Sequence, residues 1–223
     1  MANFLFKNKK NLPVDVVRNG ISRERFEKLK FIPDLRNKEK KEILYVGNVG
    51  LAQNLRTLVN AAVSFPDVLF KIVGQGSDLD EIRRYVMDKG ANNVELVGGV
   101  QWEELKKYYA KANILYAQIM PEYESAIPSK LYEYGSLGKP VIFGGVGASV
   151  RFLNQFSGFQ VVTPGDTDQL IKAIQNSLCQ DFFPQNQENI LYIEKYYIRE
   201  PQVESVSSRI FSLSKHSFSK RGR

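Results

Sequence analysis

Three residues close together, Ser129, Lys130 and Glu133, have the types and spacing to hold a phosphate and a sugar hydroxyl side by side. They lie in Ser125-Ala-Ile-Pro-Ser-Lys-Leu-Tyr-Glu-Tyr-Gly-Ser-Leu-Gly-Lys-Pro-Val-Ile142. The pattern predicts a loop, a helix, a tight stop and a buried strand. Pro128 suits the first helical position, where a missing N–H costs nothing. Gly138 suits the residue just past the helix, and Pro140 prevents a restart. The first N–H groups of a helix have no partner inside it, and the helix dipole adds positive charge there. The turn Ser129–Lys130–Leu131 is therefore a phosphate seat, and the Lys130 ammonium adds a full charge to it. Glu133, one turn further in, is suited to accept hydrogen bonds from sugar hydroxyls. Together they suggest a nucleotide or a nucleotide sugar. The plainer reading, a solvated i, i+3 pair on an amphipathic helix, uses the same two side chains.

The surroundings must place that turn, and the composition narrows what they are. The chain has 223 residues, enough for one large domain or a domain with extensions. A single cysteine, Cys179, excludes an internal disulfide, and a single histidine, His216, makes a His/Cys metal site or a Ser-His-Asp triad untenable. No apolar run approaches the roughly 18 residues needed to span a bilayer, and the N-terminal residues do not read as a signal peptide. The expectation is a cytoplasmic protein. The net charge of +7 sits at the ends: residues 1–41 carry twelve Lys/Arg against five Asp/Glu, and residues 215–223 carry four against none. The middle is mildly acidic, which argues against a nucleic-acid face. The basic ends suit acidic lipid head groups, with peripheral contact at the inner face of a membrane, or they are solvated tails.

From Ile43 onward apolar runs alternate with helical patterns. Expected strands are Ile43–Val46, Leu69–Val73, Val94–Val97, Asn113–Ala117, Pro140–Phe143 and Phe159–Val162. Expected helices cover about 54–65, a segment capped by Ser77, 102–111, the organising helix, a helix opened by Gly144–Gly147, and one from Pro164–Asp166 to about Cys179. Six alternations call for an α/β, Rossmann-like, doubly wound parallel sheet of about six strands. Such sheets bind ligands at the carboxyl ends of their strands. The domain is expected over 42–180. Residues 1–41 read as a linker or edge element, 181–214 as two helices broken near Pro201, and 215–223 as a basic disordered tail.

With those loops placed, the chain resembles the C-terminal half of a retaining GT-B glycosyltransferase of the group 1 family. The carriers, in the family's order, are Val16-Val-Arg-Asn-Gly20, Tyr45-Val-Gly47, Ile72-Val-Gly-Gln-Gly76, Val94–Val100, Leu131-Tyr-Glu133 with Leu137-Gly-Lys-Pro-Val-Ile142, and Phe159–Asp166. The look is nearest to transferases of bacterial O-antigen and capsule (lipopolysaccharide and polysaccharide biosynthesis) that use UDP-linked amino sugars. The resemblance implies that Glu133 accepts from the ribose hydroxyls and that the Ser129–Leu131 turn holds the diphosphate. It implies that Gly47 lets the diphosphate approach the first strand and that Val97 and Gly98 meet the nucleobase. No metal is expected from the residues, since no strand-end loop carries Asp-x-Asp, and no cofactor is expected, a UDP-sugar being the donor substrate.

Two features depart from the family pattern. The family spaces two glutamates with seven residues between, which would fall on Ser125, whereas the nearest carboxylate is Glu124, so a loop shift is needed for it to reach the donor sugar. Where the family commonly carries Arg and Lys after the first glycine, this chain has Asn48 and Gln53. Lys130 is then the main cation on the leaving diphosphate. No catalytic base or nucleophile is assigned, because the reaction also draws on an N-terminal acceptor-binding domain, and only about forty residues precede the first strand. The expected partner is that domain or subunit, in cis or in trans, and the chain alone is expected to be inactive. The rival from another class is a non-catalytic half that anchors a partner subunit. A sugar-nucleotide epimerase of the same fold is a third reading, disfavoured for want of ionisable groups.

Overall fold

The computed structural model describes residues 17–37, 39–179 and 185–219, with side chains up to Phe211. The apolar segment at 12–16 and the last four residues lie outside them. Six strands form one parallel sheet: β1 (Glu42–Val46), β2 (Leu69–Val73), β3 (Val94–Gly98), β4 (Ile114–Gln118), β5 (Val141–Gly144) and β6 (Phe159–Val162). Their order is β3-β2-β1-β4-β5-β6. Each central strand is an apolar run because helices cover both faces. Ile43, Leu44, Tyr45, Leu115, Tyr116 and Ala117 are all essentially inaccessible.

The helices are α1 (Arg23–Lys30), α2 (Arg56–Ala62), α3 (Leu79–Asp88), α4 (Trp102–Lys111), α5 (Ser129–Leu137), α6 (Ala148–Leu153), α7 (Thr167–Leu178), α8 (Gln187–Tyr196) and α9 (Arg199–Ser219). Two apolar clusters sandwich the sheet, one under α1, α4, α5, α6 and α8, the other under α2, α3 and α7.

Several boundaries differ from expectation. The segment read as a linker holds α1, capped by Ser22, whose Oγ accepts from the Arg25 N–H. Phe26 and Leu29 of α1 are fully buried in the first cluster. Burying each contributes on the order of 1.5–3 kcal/mol, so residues 21–32 pack as part of the core. Pro128 is the N-cap of α5, not its first helical residue, with ψ of 133°. The residue flanking α3 is Asp78, not Ser77. The break between α8 and α9 falls at Tyr197–Ile198, and Pro201 lies inside the first turn of α9, where no N–H is needed. Helix α9 continues through Lys215 to Ser219, into the stretch expected to be disordered.

Just past α8, Tyr197 is buried, packed edge-on to Phe152 at 5.0 Å and tilted against Tyr132 at 5.4 Å. Leu191 and Tyr196 do remain exposed.

Candidate nucleotide site

The strand order reverses between β1 and β4, whose crossovers leave in opposite directions. The crevice above their carboxyl ends is where an open α/β sheet takes a ligand. The two strands pair only as far as Tyr45 and Tyr116. Beyond that point the buried Tyr134 hydroxyl fills the gap. It accepts from the Val46 N–H at 3.1 Å and donates to the Tyr116 carbonyl at 3.2 Å. Helix α5 is thereby pinned with its N-terminus over the switch point.

Lys130 comes from that N-terminus. Its ammonium donates to the Tyr45 hydroxyl at 2.9 Å and lies 4.1 Å from the centre of the Tyr45 ring. The Tyr45 hydroxyl in turn donates to the Asn48 carbonyl, fixing the loop after β1. A Cβ built on Gly47 would fall 2.2 Å from Lys130 Nζ. The bare backbone at Gly47 is thus the floor on which the ammonium rests. Burial pushes Lys130 down to about 7, with the Glu133 charge pulling weakly the other way. A lysine so desolvated has few water contacts to lose when an anion arrives.

The turn itself differs in one respect from the sequence reading. The Leu131 N–H donates to the Pro128 carbonyl at 3.0 Å, and the Leu131 side chain is buried. That N–H is already committed. Those of Ser129 and Lys130 have no acceptor among the described residues, so they are the donors left for a phosphate. Ser129 itself is exposed.

Asn48 and Gln53, at the family's Arg and Lys places, hydrogen-bond to each other at 3.1 Å across the loop. The backbone of Gln53 is held from below by Gln118, at the end of β4. The Gln118 amide donates to the Gln53 and Asn54 carbonyls, each at 3.0 Å, and its oxygen accepts from the Gly165 N–H. Sequence reading missed this buried glutamine, whose one signal was an amide ending an otherwise apolar strand.

Glu133 is about three-quarters buried and held at both oxygens. Arg25 Nε donates to Oε1 at 3.0 Å and the Tyr109 hydroxyl to Oε2 at 2.9 Å. The Arg25 guanidinium carbon lies over the Trp102 ring, 3.5 Å from its centre. Burial, with the Glu133 charge adding to it, holds the Tyr109 hydroxyl well above its usual range, so it remains a donor. Arg25, Trp102 and Tyr109 were not among the predicted site residues.

Val97 and Gly98 end β3, half-buried, and the Gly98 carbonyl accepts from the Gly74 N–H at 2.8 Å. Glu124 is exposed and follows the 3₁₀ turn Pro121–Tyr123, where its carbonyl accepts from the Ala148 N–H at 2.7 Å. The structure therefore groups Gly47, Asn48, Gln53, Ser129 and Lys130 at the switch point and ties Glu133 to α1 and α4. It leaves Glu124 on the loop next to α6. Among the described residues no group of three or more His, Cys, Asp or Glu could hold a metal, and no described helix is long and apolar enough to cross a membrane.

Residues 27–190, well over half of the chain, match the family model described as glycosyl transferases group 1. The chain belongs to that family. Among curated relatives, this group 1 chain is similar to the putative colanic acid biosynthesis glycosyl transferase WcaI of Escherichia coli (strain K12). They are 25% identical over 179 residues, covering 78% of this chain and 41% of WcaI. Its fold is similar to that of Anabaena HepE, solved in complex with UDP and glucose, with a TM-score of 0.70 at 15% identity, covering 89% of this chain and 56% of HepE. It is also similar to that of WaaB, a lipopolysaccharide outer core galactosyltransferase, with a TM-score of 0.70 at 18% identity over 95% of this chain and 59% of WaaB. The group 1 chain thus spans about half the length of the proteins it matches, and its sheet is one half of a GT-B fold.

Proposed function

We propose that this chain is the donor half of a retaining group 1 glycosyltransferase and takes a UDP-sugar. It would pass the sugar to a glycan or lipid-linked acceptor of a bacterial surface polysaccharide. The observation that carries the reading is the pairing of Lys130 with the open N–H groups of Ser129 and Lys130, directly over Gly47 at the switch point. That arrangement neutralises a leaving diphosphate, and Glu133 stands one turn away for the ribose diol. A donor or cation so placed typically lowers a barrier by about 2.7–4 kcal/mol. No cofactor is called for, because the donor brings its own leaving group. HepE was solved with UDP and glucose, and WcaI and WaaB are named for surface-glycan synthesis, which supports the substrate class. The acceptor site and the remaining chemistry would come from a second domain, in cis or in trans.

The neutral Asn48–Gln53 pair favours one rival, a half that stabilises a partner subunit without binding a donor. Calorimetric titration of the chain with UDP, GDP and ADP separates the two. The donor reading expects UDP to bind best and Glu133→Ala to weaken it about tenfold, some 1.4 kcal/mol. Equal and millimolar binding of all three nucleotides would favour the anchoring role.

A further inference from the structure

The Glu133 carboxylate is held in a way that a solvated surface acid is not. Its two oxygens are taken by donors from two different helices, Arg25 of α1 and Tyr109 of α4. Each donor is itself immobilised. The Tyr109 ring is fully buried, and Glu133 is the hydrogen-bond partner of its hydroxyl. The Arg25 guanidinium lies over Trp102, and its helix is anchored by Phe26 and Leu29. A glutamate has three side-chain torsions, the last of them broad. One hydrogen bond to each oxygen removes that freedom. A carboxylate offers about four acceptor positions, so about one on each oxygen remains, and the side chain is about one quarter exposed.

We infer that Arg25 and Tyr109 are positioning residues that set the Glu133 carboxylate to accept from both hydroxyls of a vicinal diol, and so make the site selective for a ribonucleotide. This rests on Glu133 being the ribose acceptor proposed above. Trp102 acts one step further out, by holding the guanidinium in place. The clamp commits a buried hydroxyl and a half-buried guanidinium to a carboxylate that could otherwise be solvated.

The test is titration of the full chain with UDP and 2′-deoxy-UDP, in wild type, Tyr109→Phe, Arg25→Gln, Arg25→Lys and Glu133→Gln. Wild type should prefer UDP by about tenfold or more, the worth of one hydrogen bond to a charged group. Tyr109→Phe and Arg25→Gln should shrink that preference to about twofold, weakening UDP more than 2′-deoxy-UDP, which keeps its 3′-hydroxyl for Glu133. Arg25→Lys should recover part of it. A purely structural role would weaken both ligands equally and leave the ratio intact, which would overturn the inference. So would tighter UDP binding by Arg25→Gln, since Arg25 would then be a competitor for Glu133. Loss of the preference in Glu133→Gln, with the preference intact in the Arg25 and Tyr109 variants, would sink the clamp and keep the ribose reading. No preference in wild type would remove both.

Discussion

Lys130→Met should bind UDP roughly 30- to 1,000-fold more weakly than wild type, because truncating one partner of a buried, hydrogen-bonded charge pair costs about 2–4 kcal/mol. Methionine keeps the length of the side chain and its packing against Tyr45, so the loss isolates the charge. The same residue fixes the pH dependence. Burial holds Lys130 at about 7, whereas its value in an unfolded chain is about 10.4. A diphosphate beside it favours the charged form and raises that value. Binding at pH 8 should then take up a proton, and UDP affinity should fall as pH rises from 7 towards 9. Nucleotide phosphates titrate near pH 6 and do not mask the effect. Titrations in buffers of different ionisation enthalpy read the proton directly, and Lys130→Met should abolish the uptake. Stability should move the other way. Between about pH 7 and 10.4 the unfolded chain binds more protons at this site than the folded one, so the Lys130 contribution makes folding more favourable as pH rises. Pulse proteolysis of wild type and Lys130→Met across that window compares the two slopes.

Gly74→Ala should cost more stability than any other single change near the site. Gly74 has φ of 152°, and a Cβ there would fall 1.8 Å from the Gly47 carbonyl oxygen. Neither backbone can retreat. The Gly74 N–H is bonded to the Gly98 carbonyl and the Gly47 N–H to the Val73 carbonyl, at 2.8 and 2.9 Å. Relief requires breaking the ladder between β1, β2 and β3 just where the loop under Lys130 begins. A loss of about 4 kcal/mol or more is expected, which lowers Tm by roughly 8–16 °C for a chain of this size. Gly90→Ala is the control. Gly90 also has a positive φ, 62°, but a Cβ there meets nothing within 4 Å, so only the backbone cost of about 1–2 kcal/mol remains. Thermal melts of the two variants separate crowding from conformation. Equal melts would mean that the close approach of Gly74 to Gly47 carries no weight.

The sheet was legible because its central strands are buried on both faces. Leu69–Val73 and the more exposed edge strand Phe159–Val162 are mostly apolar runs bounded by turn residues, and both strands fall within those bounds. Val141–Gly144 follows directly on the Gly138 and Pro140 stop signals. Helix α5 and its lysine were legible for a local reason, since a helix start is encoded within a few residues. Helix α1 was not. Its sequence, Arg-Glu-Arg-Phe-Glu-Lys-Leu-Lys, has just two apolar residues in eight, and their burial depends on a surface contributed by α4, α5 and α8. The hold on Glu133 was illegible for the same reason. Arg25 and Glu133 are 108 residues apart, and no local pattern links them. The commitment of the Leu131 N–H to Pro128 was hidden by a shift of one residue in where the helix begins.

The most direct measurement is a crystal structure of the chain grown with UDP. The diphosphate should lie over Gly47, with a phosphate oxygen within about 3 Å of Lys130 Nζ, further oxygens on the Ser129 and Lys130 N–H groups, and the ribose hydroxyls on Glu133. A diphosphate seated away from the α5 N-terminus, or a ribose turned away from Glu133, would contradict the account.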